Sequence, residues 1–444
     1  MCVIAFHLLC KRTRQRSKLR RQPRSGPRTL ELNLMNVNPR RTTLRFSAGL
    51  LCFVFSLAPL EARQKSEPEP VSSTVPLHVE FNRPFIDLEF SQPDGSPRKA
   101  RFWVDTGGGG FLFCEELARD IGMKFGAEVH EEGERIAPTV PPRTSLGKMA
   151  LNVDGARASI LLGKKTILPG VEAEGLFPAH LLRRYHVIFD YPGGKFTLAK
   201  PSVLTPRGVR IATPVQQRSG FPRLEIQIAG QTFGFRLDTG ASFTMISREQ
   251  IETWIKAHPE WPNAVGAAGA ANMGLEKMEA DGLMLGLPQV ELGPFQLKAI
   301  AAISRPKGTF EKYMSGMMTQ PIIGAIGGNV LRAFRIEIDY ANNATYFERT
   351  GSPDTDLVMI GLTVQPWADG SYTVSGVVRQ NGEALVDGAL AGDKLIKIDQ
   401  LDVSGSSLGR VVSALRGKIG TKRTLILERA GKRITVTAPI VRVL

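Results

Sequence analysis

Two short segments of the sequence place an aspartate at the end of an apolar run, directly before Thr-Gly. They read FWVDTGGGGFLF and FRLDTGASFTMI, and their triplets are Asp105-Thr106-Gly107 and Asp238-Thr239-Gly240. Two carboxylates about 3 Å apart can share one proton, because both cannot ionise together. Such a pair can act as base and acid in one step, which is the chemistry needed to hydrolyse a peptide bond with water and without a metal or a covalent nucleophile.

The residues that follow each aspartate have chemical uses of their own. Glycine lets the backbone turn tightly and bring its N–H toward the carboxylate, and the threonine hydroxyl can tie the two loops together. A single Asp-Thr-Gly recurs by chance, but two copies in matching surroundings are a much stronger signal. The alternative, that each aspartate only caps a turn, does not explain the duplication.

The two triplets belong to an internal repeat that extends over residues 76–350. In each copy a strand and a turn precede the triplet, and a strand-like stretch and a helix follow it. Each copy then has a strand that enters Asp-Tyr and a turn, at Asp190-Tyr191 and at Asp339-Tyr340. We expect two related β units, residues 76–205 and 206–350, with extra residues of the second unit within 260–320.

On these residues the repeat region resembles an aspartic peptidase of the retropepsin/pepsin clan, in which two lobes of one chain each give one aspartate. The resemblance implies that Asp105 and Asp238 form the catalytic dyad, that Thr106 and Thr239 interlock, and that Gly107 and Gly240 shape the loops around the catalytic water. No cofactor is implied, and the substrate would be a peptide or a protein.

The family also has a second loop in each lobe, made of two apolar residues and a glycine. In the second lobe Ala325-Ile326-Gly327 fits this pattern, whereas in the first lobe Pro178 follows Leu176-Phe177. Pro178 and Gly109 favour the alternative function, a catalytically decayed peptidase fold that serves as a peptide-binding or scaffold protein. The two complete triplets argue against it.

Two further expectations follow from the resemblance. Pepsin-like enzymes usually have Ser or Thr after the triplet, where its hydroxyl stabilises the ionised carboxylate, but this chain has Gly108 and Ala241. We therefore expect a peptidase active at weakly acidic to neutral pH.

The Gly/Ala-rich segment 263–274 is the candidate for a mobile flap over the cleft, the alternative being an ordinary loop.

The last part of the chain, residues 356–444, mixes strands and one helix and forms a separate unit. It resembles a PDZ domain of the bacterial, circularly permuted kind, on Ile360-Gly361-Leu362 and on GALAGD at 388–393. The resemblance implies that N–H groups around Gly361 hold the terminal carboxylate of a peptide that adds as a strand beside 361–365. The helix at 407–417 would line the groove. The alternative is a unit that only packs against the repeat and binds nothing.

The N-terminal residues 1–62 have the features of a targeting segment. Arginines precede one apolar run at 46–60, and a small-residue cleavage site lies near Ala62. We expect Met35 to be the true start, export to the periplasm or the exterior, and a linker at 63–75. If the signal stays uncleaved, residues 46–60 would anchor the protein to a membrane.

Composition excludes several other classes of function. Residues 1–62 carry +10 of the net charge of +15, so the body is nearly neutral and no nucleic-acid partner is expected. Three of the four cysteines lie in this leader, which leaves Cys114 as a buried structural thiol, and no cluster suggests a metal. Neither a serine nucleophile motif nor a phosphate-binding loop is present. The fold class expected is mostly β, with a two-lobed, β-barrel-like aspartic peptidase fold and a small α+β PDZ domain.

Overall fold

The computed structural model describes residues 69–131, 133–266, 281–353 and 357–444. Of these residues 48% lie in strands and 11% in helices, so the expectation of a mostly β chain is confirmed. No helix in the described ranges is long and apolar enough to cross a membrane. The flap candidate 263–274 and the leader lie largely or wholly outside these ranges, apart from a strand at Asn263–Gly266.

The first unit is built from strands and two short helices. Its strands are β1 (Ser72–Pro76), β2 (His78–Glu80), β3 (Arg83–Ser91), β4 (Pro97–Asp105), β5 (Phe111–Cys114), β6 (Val129–Glu131), β7 (Glu134–Thr139), β8 (Thr144–Leu146), β9 (Met149–Ala150), β10 (Ala158–Leu161), β11 (Gly175–Pro178), β12 (His186–Asp190) and β13 (Lys195–Ala199). Its helices are α1 (Glu115–Asp120) and α2 (Ala179–Leu182). Residues 72–75, expected in the linker, are therefore part of β1, where they pair with β13.

The second unit repeats this pattern with longer strands. Its strands are β14 (Val209–Ala212), β15 (Arg223–Ile228), β16 (Gln231–Leu237), β17 (Thr244–Ser247), β18 (Asn263–Gly266), β19 (Gly282–Leu292), β20 (Phe295–Arg305), β21 (Gly324–Ile326), β22 (Phe334–Asp339) and β23 (Ala344–Arg349). Its helices are α3 (Arg248–Ala257) and α4 (Gly328–Leu331), and a π-helical turn (Thr309–Met314) leads into a 3₁₀ turn (Ser315–Met317). These two turns fall in the range where extra residues were expected.

The C-terminal unit is a smaller β unit with one helix. Its strands are β24 (Val358–Met359), β25 (Leu362–Pro366), β26 (Tyr372–Val377), β27 (Arg379–Gln380), β28 (Glu383–Ala384), β29 (Lys394–Ile398), β30 (Leu401–Asp402), β31 (Lys422–Arg429), β32 (Lys432–Pro439) and β33 (Val441–Arg442). Its helix is α5 (Leu408–Leu415). The main sheet has the order β25-β26-β29-β31-β32, so β25 is an edge strand.

The internal repeat is visible in the strand pairing. In the first unit β4, which ends in Asp105, lies between β3 and β11, and β11 also borders β5. In the second unit β16, which ends next to Asp238, lies in the same way between β15 and β21, and β21 borders β17. The parallel pairings of β4 with β11 and of β16 with β21 put both aspartates at corresponding places.

A third sheet joins the two units. Its order is β1-β13-β12-β22-β23-β14, and the antiparallel pair β12–β22 connects one unit to the other. The Asp-Tyr motifs lie at the ends of these two central strands. The hydrophobic core is continuous between the units, since a single buried cluster contains residues of both.

Candidate active site

The two Asp-Thr-Gly loops meet and are tied together by their threonines. The Thr106 hydroxyl donates to the carbonyl oxygen of Leu237 and the Thr239 hydroxyl donates to that of Val104, both at 2.8 Å. The Thr106 hydroxyl also accepts the backbone N–H of Thr239 at 3.0 Å, and the Thr239 hydroxyl accepts that of Thr106 at 3.1 Å. All four bonds cross between the units, and both threonines are fully buried. The interlocking expected of these side chains is present.

The glycines bring the two carboxylates to the same place. The N–H groups of Gly107 and Gly240 donate to Asp105 Oδ1 and Asp238 Oδ1, at 2.7 and 3.0 Å. A Cβ on Gly107 would lie 2.6 Å from Cγ of Asp238, and one on Gly240 would lie 2.3 Å from Cγ of Asp105. Each glycine therefore contacts both carboxylates, and no other residue type fits there. The aspartates are 0% and 1% exposed.

The second loop of each unit supports the aspartate from below, and the departure at Pro178 is accommodated. β11 reaches Asp105 in register, with Pro178 opposite the aspartate. The corresponding Gly327 donates its N–H to the Thr244 hydroxyl at 3.4 Å, but the residue equivalent to Thr244 in the first unit is Phe111, which offers no acceptor. Proline, which lacks an N–H, therefore loses nothing at this position.

Steric room explains the same difference. Gly327 has an extended backbone, with φ −101°, so its glycine is not required by conformation. It is required by space, because a Cβ would lie 2.3 Å from the carbonyl oxygen of Phe243. In the first unit Gly110 is equivalent to Phe243, and Pro178 is buried beside the loop. Since the obstacle in the second unit is a backbone atom, the difference between the units lies in the spacing of the backbone and not in the type of residue 110.

The short helices after these loops hold the Asp-Thr-Gly loops through backbone and side chains. Ala179 N donates to Gly108 O, and Gly328 N donates to Ala241 O. Asn329 accepts from the N–H of Thr244 at 2.7 Å. Its counterpart His180 is hydrogen-bonded to the backbone of Gly109, and burial lowers the pKa of His180 to about 4. The imidazole is therefore neutral at neutral pH and is held as a structural side chain.

A buried arginine lies against Asp238. Arg236 is 0% exposed, and its Nη2 donates to Asp238 Oδ2 at 2.5 Å. Its Nη1 donates to the carbonyl oxygen of Gly107 at 3.1 Å, and the guanidinium lies 5.2 Å from the ring centre of Phe221. Arg236 therefore contacts one catalytic candidate and the loop of the other. The first unit has Trp103 at the equivalent position.

A second buried arginine makes the reciprocal contact. Arg83 is 1% exposed and donates from Nε to the carbonyl oxygen of Gly240 at 3.2 Å, with its guanidinium 5.1 Å from the ring centre of Trp103. Strand register makes Arg83 equivalent to Phe221, as Trp103 is to Arg236. In each unit one arginine therefore packs on one aromatic ring. The position that holds the arginine in one unit holds the aromatic residue in the other. Each arginine binds the triplet glycine of the other unit.

The tyrosines of the Asp-Tyr motifs lie beneath the site. Burial raises the pKa of Tyr191, and the charge of Asp238 raises it further. Burial likewise raises the pKa of Tyr340, with a further contribution from Asp105. Each tyrosine is therefore near the aspartate of the opposite unit. Within the described ranges neither hydroxyl has a hydrogen-bond partner.

Cys114 is a buried structural residue, as expected. It precedes α1, and its sulfur accepts the N–H of Leu117 as the helix N-cap. Burial raises the pKa of the Cys114 thiol to about 11. The thiol therefore stays protonated at neutral pH and is a poor nucleophile.

The loop Ile360-Gly361-Leu362 of the C-terminal unit is already engaged in internal hydrogen bonds. Ile360 N donates to Leu415 O at 2.9 Å, and Leu362 N donates to Ile360 O at 2.7 Å. Two of the N–H groups expected to receive a peptide carboxylate thus have partners in this structure. A peptide that used them would have to displace those bonds.

Sequence reasoning identified the triplets and Gly327 but missed Arg83 and Arg236. A signal for Arg236 was present, since it stands two residues before Asp238 in a strand and alternation puts both side chains on one face. For Arg83 the sequence holds no comparable signal, because its contact with Gly240 depends on the association of the two units.

Comparison with known proteins adds no assignment. No family model matches the chain, and no curated protein matches it. The function must therefore be argued from the site itself.

Proposed function

We propose that the chain is an aspartic-type endopeptidase that hydrolyses peptide bonds with a water molecule activated by Asp105 and Asp238. The observation that carries the proposal is the meeting of two buried carboxylates, at equivalent positions of two repeated units, through the reciprocal threonine bonds. A turn cap would need neither the duplication nor the contact. The bilobed retropepsin/pepsin-like fold is part of this proposal, and no cofactor is required.

The two carboxylates share one proton, because two such charges in one site cannot both form. One of the pair is therefore the base and the other is the acid, and Arg236 helps to hold Asp238 in place. The ionised carboxylate accepts a proton from water as the resulting hydroxide attacks the carbonyl carbon, while the protonated carboxyl donates its proton to the carbonyl oxygen. As the diol collapses, one of its hydroxyls returns a proton to the carboxylate that donated one. The C–N bond breaks, and the other carboxyl gives the proton taken from water to the leaving amine.

The C-terminal unit is proposed to be a PDZ domain that recognises the C-terminus of a substrate or partner. Its edge strand β25 lies beside α5, and an apolar cavity is lined by residues of both, including Leu362, Val364 and Leu415. An edge strand beside a helix can accept a peptide as an added strand. With its leader, the protein is proposed to act in the periplasm or outside the cell.

The test of the proposal is cleavage of a diverse peptide library by the full chain between about pH 4 and 7. We expect wild type to cut, and Asp105→Asn to be inactive because the shared proton can no longer be exchanged. Asp190→Asn is a matched control, since Asp190 lies at the end of β12 and accepts the N–H of Gly193 in its own turn. It should cut like wild type.

A folded wild type that cuts nothing would overturn the proposal and favour the scaffold alternative. Equal activity of wild type and Asp105→Asn would also overturn it, because the cleavage would then come from another group or from a contaminant.

A further inference from the structure

The turn between β2 and β3, residues Glu80–Arg83, has an unusual backbone. Phe81 has φ 47° and Asn82 has φ 63°, in the left-handed region that bulky side chains rarely adopt. Tight hairpin turns of this kind normally carry Asn or Gly at both central positions. A phenylalanine held in such a conformation indicates that the surrounding contacts favour it there. We call these four residues the bridging turn.

The first half of the bridging turn lies in the groove between β25 and α5. Phe81 packs against the hydrophobic core of the C-terminal unit and lines the apolar cavity beside Leu362 and Leu415. Glu80 accepts the N–H of Gly409 at 3.0 Å. That N–H belongs to the first turn of α5, where amides lack helical partners and attract negative charge. The free space that remains is about 50 Å³, room for a few water molecules but not for a peptide.

The second half of the bridging turn holds the loop that follows Asp238. Arg83 donates to the carbonyl oxygen of Gly240, and Asn82 donates to that of Ser242 at 3.1 Å. Phe81 itself makes an edge contact with Phe243, with ring centres 5.8 Å apart. Four consecutive residues therefore connect the groove of one unit to the catalytic loop of another.

We propose that the bridging turn couples the groove to the dyad, so that a peptide entering the groove lowers peptidase activity. A peptide with an apolar C-terminal residue competes with Phe81 for the same apolar space beside β25. When Phe81 leaves, Asn82 and Arg83 are drawn away from the loop after Asp238, and the dyad loses part of its support. The coupling is reciprocal, because whatever stabilises the loop also keeps Phe81 in the groove. The effect on activity rests on the proposed peptidase function, whereas the effect on the loop rests only on the proposed binding of a peptide in the groove.

Peptide binding gives the first test. Fluorescein-labelled peptides ending in a free Leu, Val or Phe carboxylate, with amidated twins, are titrated by anisotropy against the full chain. We expect weak binding to wild type and at least tenfold tighter binding to Phe81→Ala, for the free acids only. Phe125→Ala is the matched control, since this half-exposed ring of the first unit stacks on Arg119 and not in the groove. Equal affinity of wild type and Phe81→Ala, or no binding to either, overturns the proposal.

Amide hydrogen exchange of residues 238–243 gives the second test and does not depend on catalysis. Exchange in this loop should be faster in Phe81→Ala than in wild type, and saturating peptide should accelerate it in wild type and in Asp105→Asn alike. In wild type the same peptide should lower kcat/KM at least severalfold. Peptide binding that leaves both loop exchange and kcat/KM unchanged shows the coupling to be wrong.

The two proposals can fail separately. If no variant cleaves peptides but the exchange coupling is present, the peptidase function is wrong and the coupling stands. If Phe81→Ala does not fold, Glu80→Gln is the second variant, because it keeps the Phe81 ring and removes only the negative charge of Glu80 beside the first turn of α5. Glu80→Gln should bind the free-acid peptides about threefold more tightly than wild type. Unchanged affinity in Glu80→Gln then overturns the proposal.

Discussion

The two catalytic candidates are identical side chains held by contacts of their own triplets and by residues outside them. Both accept the N–H of their own triplet glycine, and Asp238 also accepts a hydrogen bond from the buried guanidinium of Arg236. A charge-assisted bond in a dry site is stronger than one in water. Arg236, a residue outside the motif, therefore supports Asp238 directly. The expectation of activity at weakly acidic to neutral pH was based on the missing hydroxyl at Gly108 and Ala241 and did not include Arg236. It stays a prediction.

Replacing Arg236 should lower the rate of the reaction. In Arg236→Gln the charge-assisted hydrogen bond to Asp238 and the bond to the carbonyl oxygen of Gly107 are weakened or lost. We expect kcat/KM to fall about tenfold or more, because one of the two carboxylates and the loop of the other lose a support. The measurement is kcat/KM with a peptide substrate.

The control for this experiment is Arg223→Gln. Arg223 is the cross-strand neighbour of Arg236 and is also buried, but it binds Pro321 and Glu225 and does not contact the dyad. Its kcat/KM should stay close to that of wild type. An unchanged kcat/KM in Arg236→Gln would show that the guanidinium does not support the dyad.

At the scale of elements, the triplets were predictable because their signal lies within a few residues. The contacts that hold the triplet loops in place were not predictable, because they come from segments far away in the sequence. Strands and the cap of α3 by Ser247 follow from patterns within a few residues, and the repeat follows from comparing the surroundings of the two triplets. The hydrogen bond from Ala179 N to Gly108 O, which supports the loop after Asp105, depends on a contact between segments far apart in the sequence. The start of β1 at Ser72 was missed because a polar edge strand has the composition of a linker.

The threonine bonds should stabilise the association of the two loops. Thr106→Val keeps the shape of the side chain but leaves the carbonyl of Leu237 and the N–H of Thr239 without their partner. We expect the free energy of unfolding to fall by about 2 kcal/mol or more, measured by chemical denaturation. Thr74→Val removes a hydroxyl from the exposed Thr74–Thr197 pair and should cost under about 0.5 kcal/mol. Equal effects of the two changes would contradict this view of the loops.

The two second loops should tolerate substitution differently. In Gly327→Ala the new Cβ meets the backbone of Phe243, so β21 must shift beside Asp238. We expect a loss of about 1–3 kcal/mol in unfolding free energy together with lower kcat/KM. Pro178→Ala meets no such obstacle and should cost less than about 1 kcal/mol. Chemical denaturation and kcat/KM of both variants test this prediction. A larger loss of stability in Pro178→Ala than in Gly327→Ala would contradict it.

At the scale of the whole molecule, one buried ion-pair group links the two repeated units. Glu337 of β22 accepts from His186 of β12 at 2.7 Å and from Arg335 at 2.7 Å. Burial by itself raises the pKa of Glu337, but these hydrogen bonds outweigh it and leave the pKa below its usual value. The link lies in the sheet that both units share, so its protonation affects their association.

Acid should therefore weaken this link. Because the pKa of Glu337 is lower in the folded than in the unfolded chain, its contribution is present above about pH 4.5 and is lost as the pH falls further. Glu337→Gln should be less stable than wild type at pH 7, and its stability should fall less between about pH 5 and 3. Urea denaturation across this range measures both, with the exposed Glu348→Gln as control. Parallel pH curves for Glu337→Gln and wild type would contradict the argument.

The arrangement of the three units was only partly predictable from the sequence. The repeat and the different pattern of residues 356–444 gave the order of the units, but a turn that reaches from the first unit into the groove of the third has no periodic pattern. Its one sequence sign is a phenylalanine before asparagine in a tight turn, and the contact becomes evident only when the units are together.

The measurement that tests the central claim most directly is kcat/KM for Asp105→Asn, for Asp238→Asn and for the double variant on one cleaved peptide. Residues that act as a unit give non-additive losses. We predict that each single change lowers kcat/KM about a thousandfold or more. The double variant should have a kcat/KM no lower than that of the less active single variant. Losses that multiply, or a single variant that keeps wild-type activity, would show that the two carboxylates do not act together.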